Sequence, residues 1–196
     1  MLKKMRGFTL IEMLIVVAII GILAALLIPN AMSALQKAKQ KGTIKDINTI
    51  ATGLMDYVTD KGGFTGGTVH QGQLQATGDT LVSALQGFYL KVFPINDQWG
   101  HAFYVYTGTN ATGASAFGLT VSSPADDEFI VASSGRNTAT NDYTDYNPTD
   151  PSSGLYEVTR MSDFNYEIVN WNGSIVIGPR TAAATTSTST STPTEG

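Results

Sequence analysis

A chain of 196 residues with a formal net charge of -4 has room for one modest domain plus appendages, not for two full domains. It contains no cysteine, which excludes a disulfide framework and thiolate chemistry. From Asp46 onward five basic residues stand against fifteen acidic ones, a balance near -10 that argues against a nucleic-acid-binding surface there.

The first element is a long apolar run. Lys3, Lys4 and Arg6 precede FTLIEMLIVVAIIGILAALLI, Phe8 to Ile28, which carries one charge, Glu12. As a helix these residues span roughly 31 Å at about 1.5 Å per residue, enough to cross a hydrocarbon core. Three readings compete: a cleaved secretory signal, a plain membrane anchor, and a stem that uses both lipid and protein as solvent. A secretory signal fits poorly, because its apolar region is shorter and a small-residue cut site follows it. A plain anchor explains the length but not Glu12, since a carboxylate in lipid costs about 2.5–3.5 kcal/mol and usually has a partner. Nothing from Met13 to Ile28 can pair with it, so the partner is expected from another chain or from a terminus. The bland alternative is a Glu12 that snorkels or sits protonated. Four lysines (37, 39, 41 and 45) follow the run, so counting positive charges does not decide its orientation.

Past Pro29 a helical pattern resumes. Ala31, Ala34, Leu35 and Ala38 share a stripe, continued by Ile44, Ile47, Ile50, Ala51, Leu54, Met55 and Val58. The spacing predicts one interrupted helix from about Phe8 to Tyr57 or Asp60, kinked or loosened at Pro29 and weak again at Gly42. The lysines are expected on a solvated face, with anionic lipid or an acidic neighbouring head as the sharper alternative. Gly62 to Gly67 then opens a loop, and Asp79 begins a short capped helix through Leu85. Strand-like runs follow at Ala102–Thr107, Phe117–Val121, Glu128–Ala132, Tyr166–Trp171 and Ser174–Ile177, the last two flanking an Asn172-Gly173 hairpin turn. Residues 134–151 read as a long surface loop and 181–196 as a disordered Ser/Thr-rich tail. The fold class is α+β: a long helix, half in the membrane and half packed on a small antiparallel sheet of three to five strands.

Arg6-Gly7-Phe8-Thr9-Leu10-Ile11-Glu12, followed by the apolar run and Pro29, resembles the class III signal of type IV pilins and type II secretion pseudopilins. The resemblance implies that a prepilin peptidase cuts after Gly7 and methylates the new N-terminal residue, Phe8. It implies that Glu12 pairs with the Phe8 amine of a neighbouring subunit during assembly. Residues 1–7 are then a leader, 8–29 a transmembrane and filament-core helix, and 30–180 a globular head. The head resembles that of the major pseudopilin. Asp97-Gln98-Trp99-Gly100-His101-Ala102-Phe103-Tyr104 is similar to its Asp-Pro-Trp-Gly turn, and Phe129 to Gly135 to its strand ending in Ser-x-Gly. Ser162-Asp163 through Trp171 is similar to its acidic segment. In the family the last two regions hold a structural calcium ion, which implies Ser134, Asp163 and Glu167 as ligands here. The chain departs from the pattern there: Arg136-Asn137 stands where an aspartate is expected, and an insertion rich in Asn, Asp and Tyr separates the parts.

No catalytic constellation accompanies these features. Acidic residues suit calcium by type, but at no EF-hand spacing. His70 and His101 lack a zinc-site pattern, and no Gly-x-Ser-x-Gly elbow occurs. The expected function is structural, not enzymatic: a type II secretion pseudopilin polymerising in the periplasm to drive protein export. The alternative is a type IV pilus pilin serving adhesion, motility or DNA uptake. Expected partners are copies of itself, prepilin peptidase, an inner-membrane assembly platform with its ATPase, and lipid, without nucleic acid. The expected location is the bacterial inner membrane, single pass, with the head in the periplasm or outside the cell.

Overall fold

The structure, a computed structural model, describes residues 8–180. The expected leader, with Gly7, and the expected Ser/Thr-rich tail lie outside the described residues. The chain divides into two units, with the boundary between Lys39 and Gln40. One helix, α1 (Leu10–Lys61), begins in the first unit and ends in the second.

The first unit is the apolar stem. Leucine, isoleucine and alanine are strong or adequate helix formers, and no glycine but Gly21 interrupts the run. Pro29 lies inside α1 without ending it. Its ring nitrogen carries no hydrogen, so the Ala25 carbonyl loses its usual donor. Residues 30–39 group with the stem, and Ala31, Ala34, Leu35 and Ala38 are exposed.

The second unit is the head. Its part of α1 buries Gln40, Thr43, Ile47, Ile50, Ala51, Leu54 and Tyr57, a stripe at steps of three and four. Met55, expected on that stripe, is 40% exposed. Gly42 is no weak point: a Cβ there would stand 2.8 Å from Gln98 Cγ, so the glycine admits a crossing side chain. Gly62, at φ 81°, stops the helix and donates its N–H to the Val58 carbonyl at 2.7 Å. The expected short helix is present as α2 (Thr80–Leu85), capped by Asp79, whose carboxylate accepts the N–H groups of Leu81 and Val82.

Six strands form the sheet: β1 (Gln71–Gln73), β2 (Tyr104–Thr107), β3 (Phe129–Ser133), β4 (Leu155–Tyr156), β5 (Ile168–Trp171) and β6 (Ser174–Pro179). Their order is β1-β2-β3-β5-β6-β4. All neighbours are antiparallel except β4 and β6, so the sheet is larger than expected and mixed at one edge. Asn172 (φ 47°) and Gly173 (φ 89°) make the β5–β6 turn with two positive φ angles, as the Asn-Gly signal requires. The expected strand at 117–121 is absent. Residues Gly108–Phe117 wind into a 3-10 helix that Gly118, at φ 71°, terminates.

Strand alternation sends side chains to two covered faces. Val105, Val131 and Ile168 join Ile47, Ile50, Leu54, Leu81, Leu85 and Phe103 under the helices. Tyr106, Ile130, Ala132 and Val169 face the other way and pack with Ala111, Ala114, Phe117, Leu119 and Tyr156. All five residues of β3 are therefore buried, which explains its unbroken Phe-Ile-Val-Ala-Ser sequence.

Candidate functional site: an apolar stem and a latched head

The stem is the element without cover of its own. From Leu10 to Ile28 its large hydrophobic side chains are between 47% and 83% exposed, and Phe8 is 81% exposed. A surface of this size and continuity requires lipid or other protein around it. Among the described residues α1 is the one helix long and apolar enough to cross a membrane. Glu12 sits in its first turn. Its Oε2 accepts the Thr9 N–H at 2.8 Å and the Thr9 hydroxyl at 2.7 Å, while Thr9 Oγ1 accepts the Glu12 N–H at 3.3 Å. This reciprocal arrangement is a capping box. The expected partner is another chain or a terminus; within the chain the Thr-x-x-Glu spacing supplies one three residues earlier. Of the four lysines expected on a solvated face, Lys37, Lys41 and Lys45 are exposed and Lys39 is half-buried.

In the head, the turn at Asp97–His101 is latched to the end of β3. Asp97 is buried, and its Oδ1 accepts the N–H groups of Trp99 and His101, each at 2.9 Å. Its Oδ2 accepts the Ser133 hydroxyl at 2.7 Å. His101 Nδ1 lies 3.0 Å from the Gly135 carbonyl. The same turn reaches α1: the Gln98 N–H donates to Thr43 Oγ1 at 3.2 Å, and Gln98 Nε2 donates to Asp46 Oδ2 at 2.7 Å. Asp97 thus ties the turn to the strand, and Gln98 ties the same turn to the helix. The resemblance to the Asp-Pro-Trp-Gly turn located it, but burial and the Ser133 contact are tertiary facts.

The three residues tied to calcium by resemblance are held separately. Ser134 Oγ donates to the Asn137 carbonyl at 3.0 Å. Asp163, buried at the start of a 3-10 turn, accepts the N–H groups of Thr159 at 2.8 Å and Arg160 at 2.7 Å. Burial raises the Asp163 pKa, but the Arg160 and Thr159 amides outweigh it and leave the group below its ordinary value. Glu167 has no exposed surface, and its carboxylate accepts the N–H groups of Asp142 and Tyr143 at 3.2 Å. Burial raises its pKa above the ordinary value, and the backbone amides around it offset part of the rise. Tyr143, Tyr156 and Tyr166 form a ring cluster beside it, with centroids 5.1–5.5 Å apart. Burial, then the nearby Glu167 charge, raises the Tyr156 pKa strongly. Among the described residues no three His, Cys, Asp or Glu side chains converge as a metal site.

Residues 2–28 match the prokaryotic N-terminal methylation motif. The chain is 35% identical over 120 residues to the type II secretion system core protein G of Vibrio cholerae, covering 57% of this chain and 80% of that protein. It is 39% identical over 118 residues to that of Pseudomonas aeruginosa, covering 55% and 78%. The Escherichia coli protein of the same name is 34% identical over 116 residues, covering 57% and 77%. No solved structure gives a significant match. With an exposed apolar stem, a methylation motif over its start and an α+β head, the chain belongs to the family of type II secretion system core protein G.

Proposed function

We propose that the protein is a filament subunit of a type II secretion system, held by its stem in the inner membrane and then added to a polymer in which stems pack on stems. The observation that carries this reading is the uncovered apolar stem with one acid in its first turn. Single-chain burial leaves it unpartnered, and both lipid and neighbouring stems satisfy it. Exchanging lipid for protein contacts gains little hydrophobic energy, because lipid is already apolar. The work of extension therefore comes from partners, which we take to be an assembly platform and its ATPase, with export of protein as the outcome. No catalytic role is assigned.

In this reading prepilin peptidase cuts between Gly7 and Phe8, removes the basic leader and methylates the Phe8 amine. The cut leaves a cationic terminus one turn from Glu12, whose contacts go to Thr9, next to Phe8. Glu12 is then available to the amine of a neighbouring copy. Such a pair in low dielectric contributes modest net energy, since desolvation offsets much of the attraction, but it rejects slipped packings of otherwise uniform apolar helices. Head domains stand in the periplasm.

Two variants test this. Glu12→Ala should be processed to the mature mass yet yield at least tenfold fewer sheared filaments, because it leaves the amine buried without its counter-charge at a cost of a few kcal/mol. Filaments at wild-type level would overturn the pairing. Gly7→Leu should keep the precursor mass in mass spectrometry of the membrane fraction, whereas mature protein from this variant would reject the cut site.

A further inference from the structure

Two head segments, residues 129–135 and 162–171, are those the family resemblance links through a calcium ion, and Arg136 directly follows the first. In this chain its own groups join them. The Arg136 N–H donates to the Phe164 carbonyl at 2.8 Å, and Arg136 Nε donates to Asn165 Oδ1 at 3.0 Å. Gly135 lies so close to the opposite segment that a Cβ would stand 2.5 Å from the Tyr166 carbonyl oxygen. Glu167, fully buried, accepts two amides from the insertion, those of Asp142 and Tyr143. The insertion is fastened again by Tyr143, whose hydroxyl donates to the Ser153 carbonyl and whose ring packs on Tyr156 and Tyr166.

The polarity of these contacts is wrong for a cation. Calcium collects six to eight oxygen acceptors. Here Asp163 and Glu167 face N–H donors, and a guanidinium occupies the position where the family pattern has an acid. Asp142, whose charge acts on Glu167, accepts from Asn137 Nδ2 at 2.5 Å. The residues present do not fit the ion.

We propose that Arg136 and Glu167 replace the cation in this head, Arg136 by tying residues 134–136 to 164–165 and Glu167 by fastening the 137–150 insertion to the start of β5. The fold of the head is then independent of calcium. This proposal does not rest on the filament reading, since it concerns how the head holds together.

The test uses the full chain in detergent micelles, melted with excess EDTA and with about 1 mM calcium chloride, the weak end for extracellular calcium modules. The two melting temperatures should agree within about 1 °C, which for a domain of this size is well under 1 kcal/mol. Isothermal titration with calcium should give no saturable heat. Glu167→Ala should lower the Tm by about 5 °C or more in both buffers, because two amides lose a buried charged acceptor. The insertion near Tyr143 should become a protease cut site in that variant. Should Glu167→Ala fail to fold, Arg136→Met and Glu167→Gln carry the test, each lowering the Tm equally with and without calcium. A fall of about 5 °C on chelation of the wild type, one ion bound per chain, or a wild-type Tm in both milder variants would each overturn the proposal.

Discussion

At the scale of single residues, the head depends on a few places where backbone approaches backbone. Gly135 is the sharpest. It has φ 74°, and a Cβ would meet the Tyr166 and Asn165 carbonyl oxygens at 2.5 and 2.7 Å. Gly62 has a similar φ of 81° but open space around the missing side chain. The pair separates two costs. Gly62→Ala should cost about 1–2 kcal/mol, the left-handed strain alone. Gly135→Ala adds a collision with backbone that cannot rotate away, so the total should reach about 3–4 kcal/mol. Chemical denaturation of the full chain in detergent measures both, and equal losses would show that the close approach does not matter. The Ser-x-Gly pattern marked Gly135 in the sequence, yet the reason for it lies across the fold at residues 165–166. Glu167 shows the same limit. Its charge and position were legible, but the amides that donate to its buried carboxylate come from an insertion 24 and 25 residues away that reads as loose surface loop.

Elements were legible in proportion to how much of their logic is local. The stem, the amphipathic half of α1, the Asp79 cap and the Asn172-Gly173 hairpin all follow from periodicity, capping and turn chemistry. β1 was missed because Gln-Gly-Gln carries no strand signal, and pairing with β2 alone makes it a strand. β4 is two residues long and exists through its parallel contact with β6. The 117–121 run read as a strand because Phe117 and Leu119 alternate, but both are buried by a turn lying on the sheet. Gly53 tests how α1 seats on the head. It is buried, and a Cβ there would stand 2.5 Å from Leu90 Cγ. Gly53→Ala gains about 1 kcal/mol of helix propensity. Overpacking against Leu90 costs about 1–3 kcal/mol, so the variant should be less stable by up to about 2 kcal/mol. Leu90→Ala in the same chain should relieve part of that loss, giving a coupling of about 1 kcal/mol in a double-mutant cycle. A Gly53→Ala protein more stable than wild type would mean the helix is not held at Leu90.

At the scale of the whole molecule, stability and assembly reside in different stretches of chain. Every buried residue of the two apolar clusters lies at Ile47 or beyond, with Ile44 packed against the first, and the first buried residue of the second unit is Gln40. The stem is apolar all round, which suits it to lipid and to copies of itself but adds nothing to those clusters. Apart from Met55, Phe88 and Val92, the large hydrophobic residues of the described head are not prominently exposed, and scattered single exposures of this kind are ordinary for a water-soluble surface. A variant lacking residues 1–30 should therefore be soluble without detergent, keep the head's circular dichroism, and melt within about 2 °C of the full chain, a difference below about 1 kcal/mol. It should enter no filament, because the surface that packs stem on stem is gone. The new helix start at Ala31 will fray, but residues 31–39 contribute no core side chain, so fraying there costs little of the global stability. A truncated head that aggregates, or that melts about 5 °C or more below the full chain, would show that the stem supports the head fold.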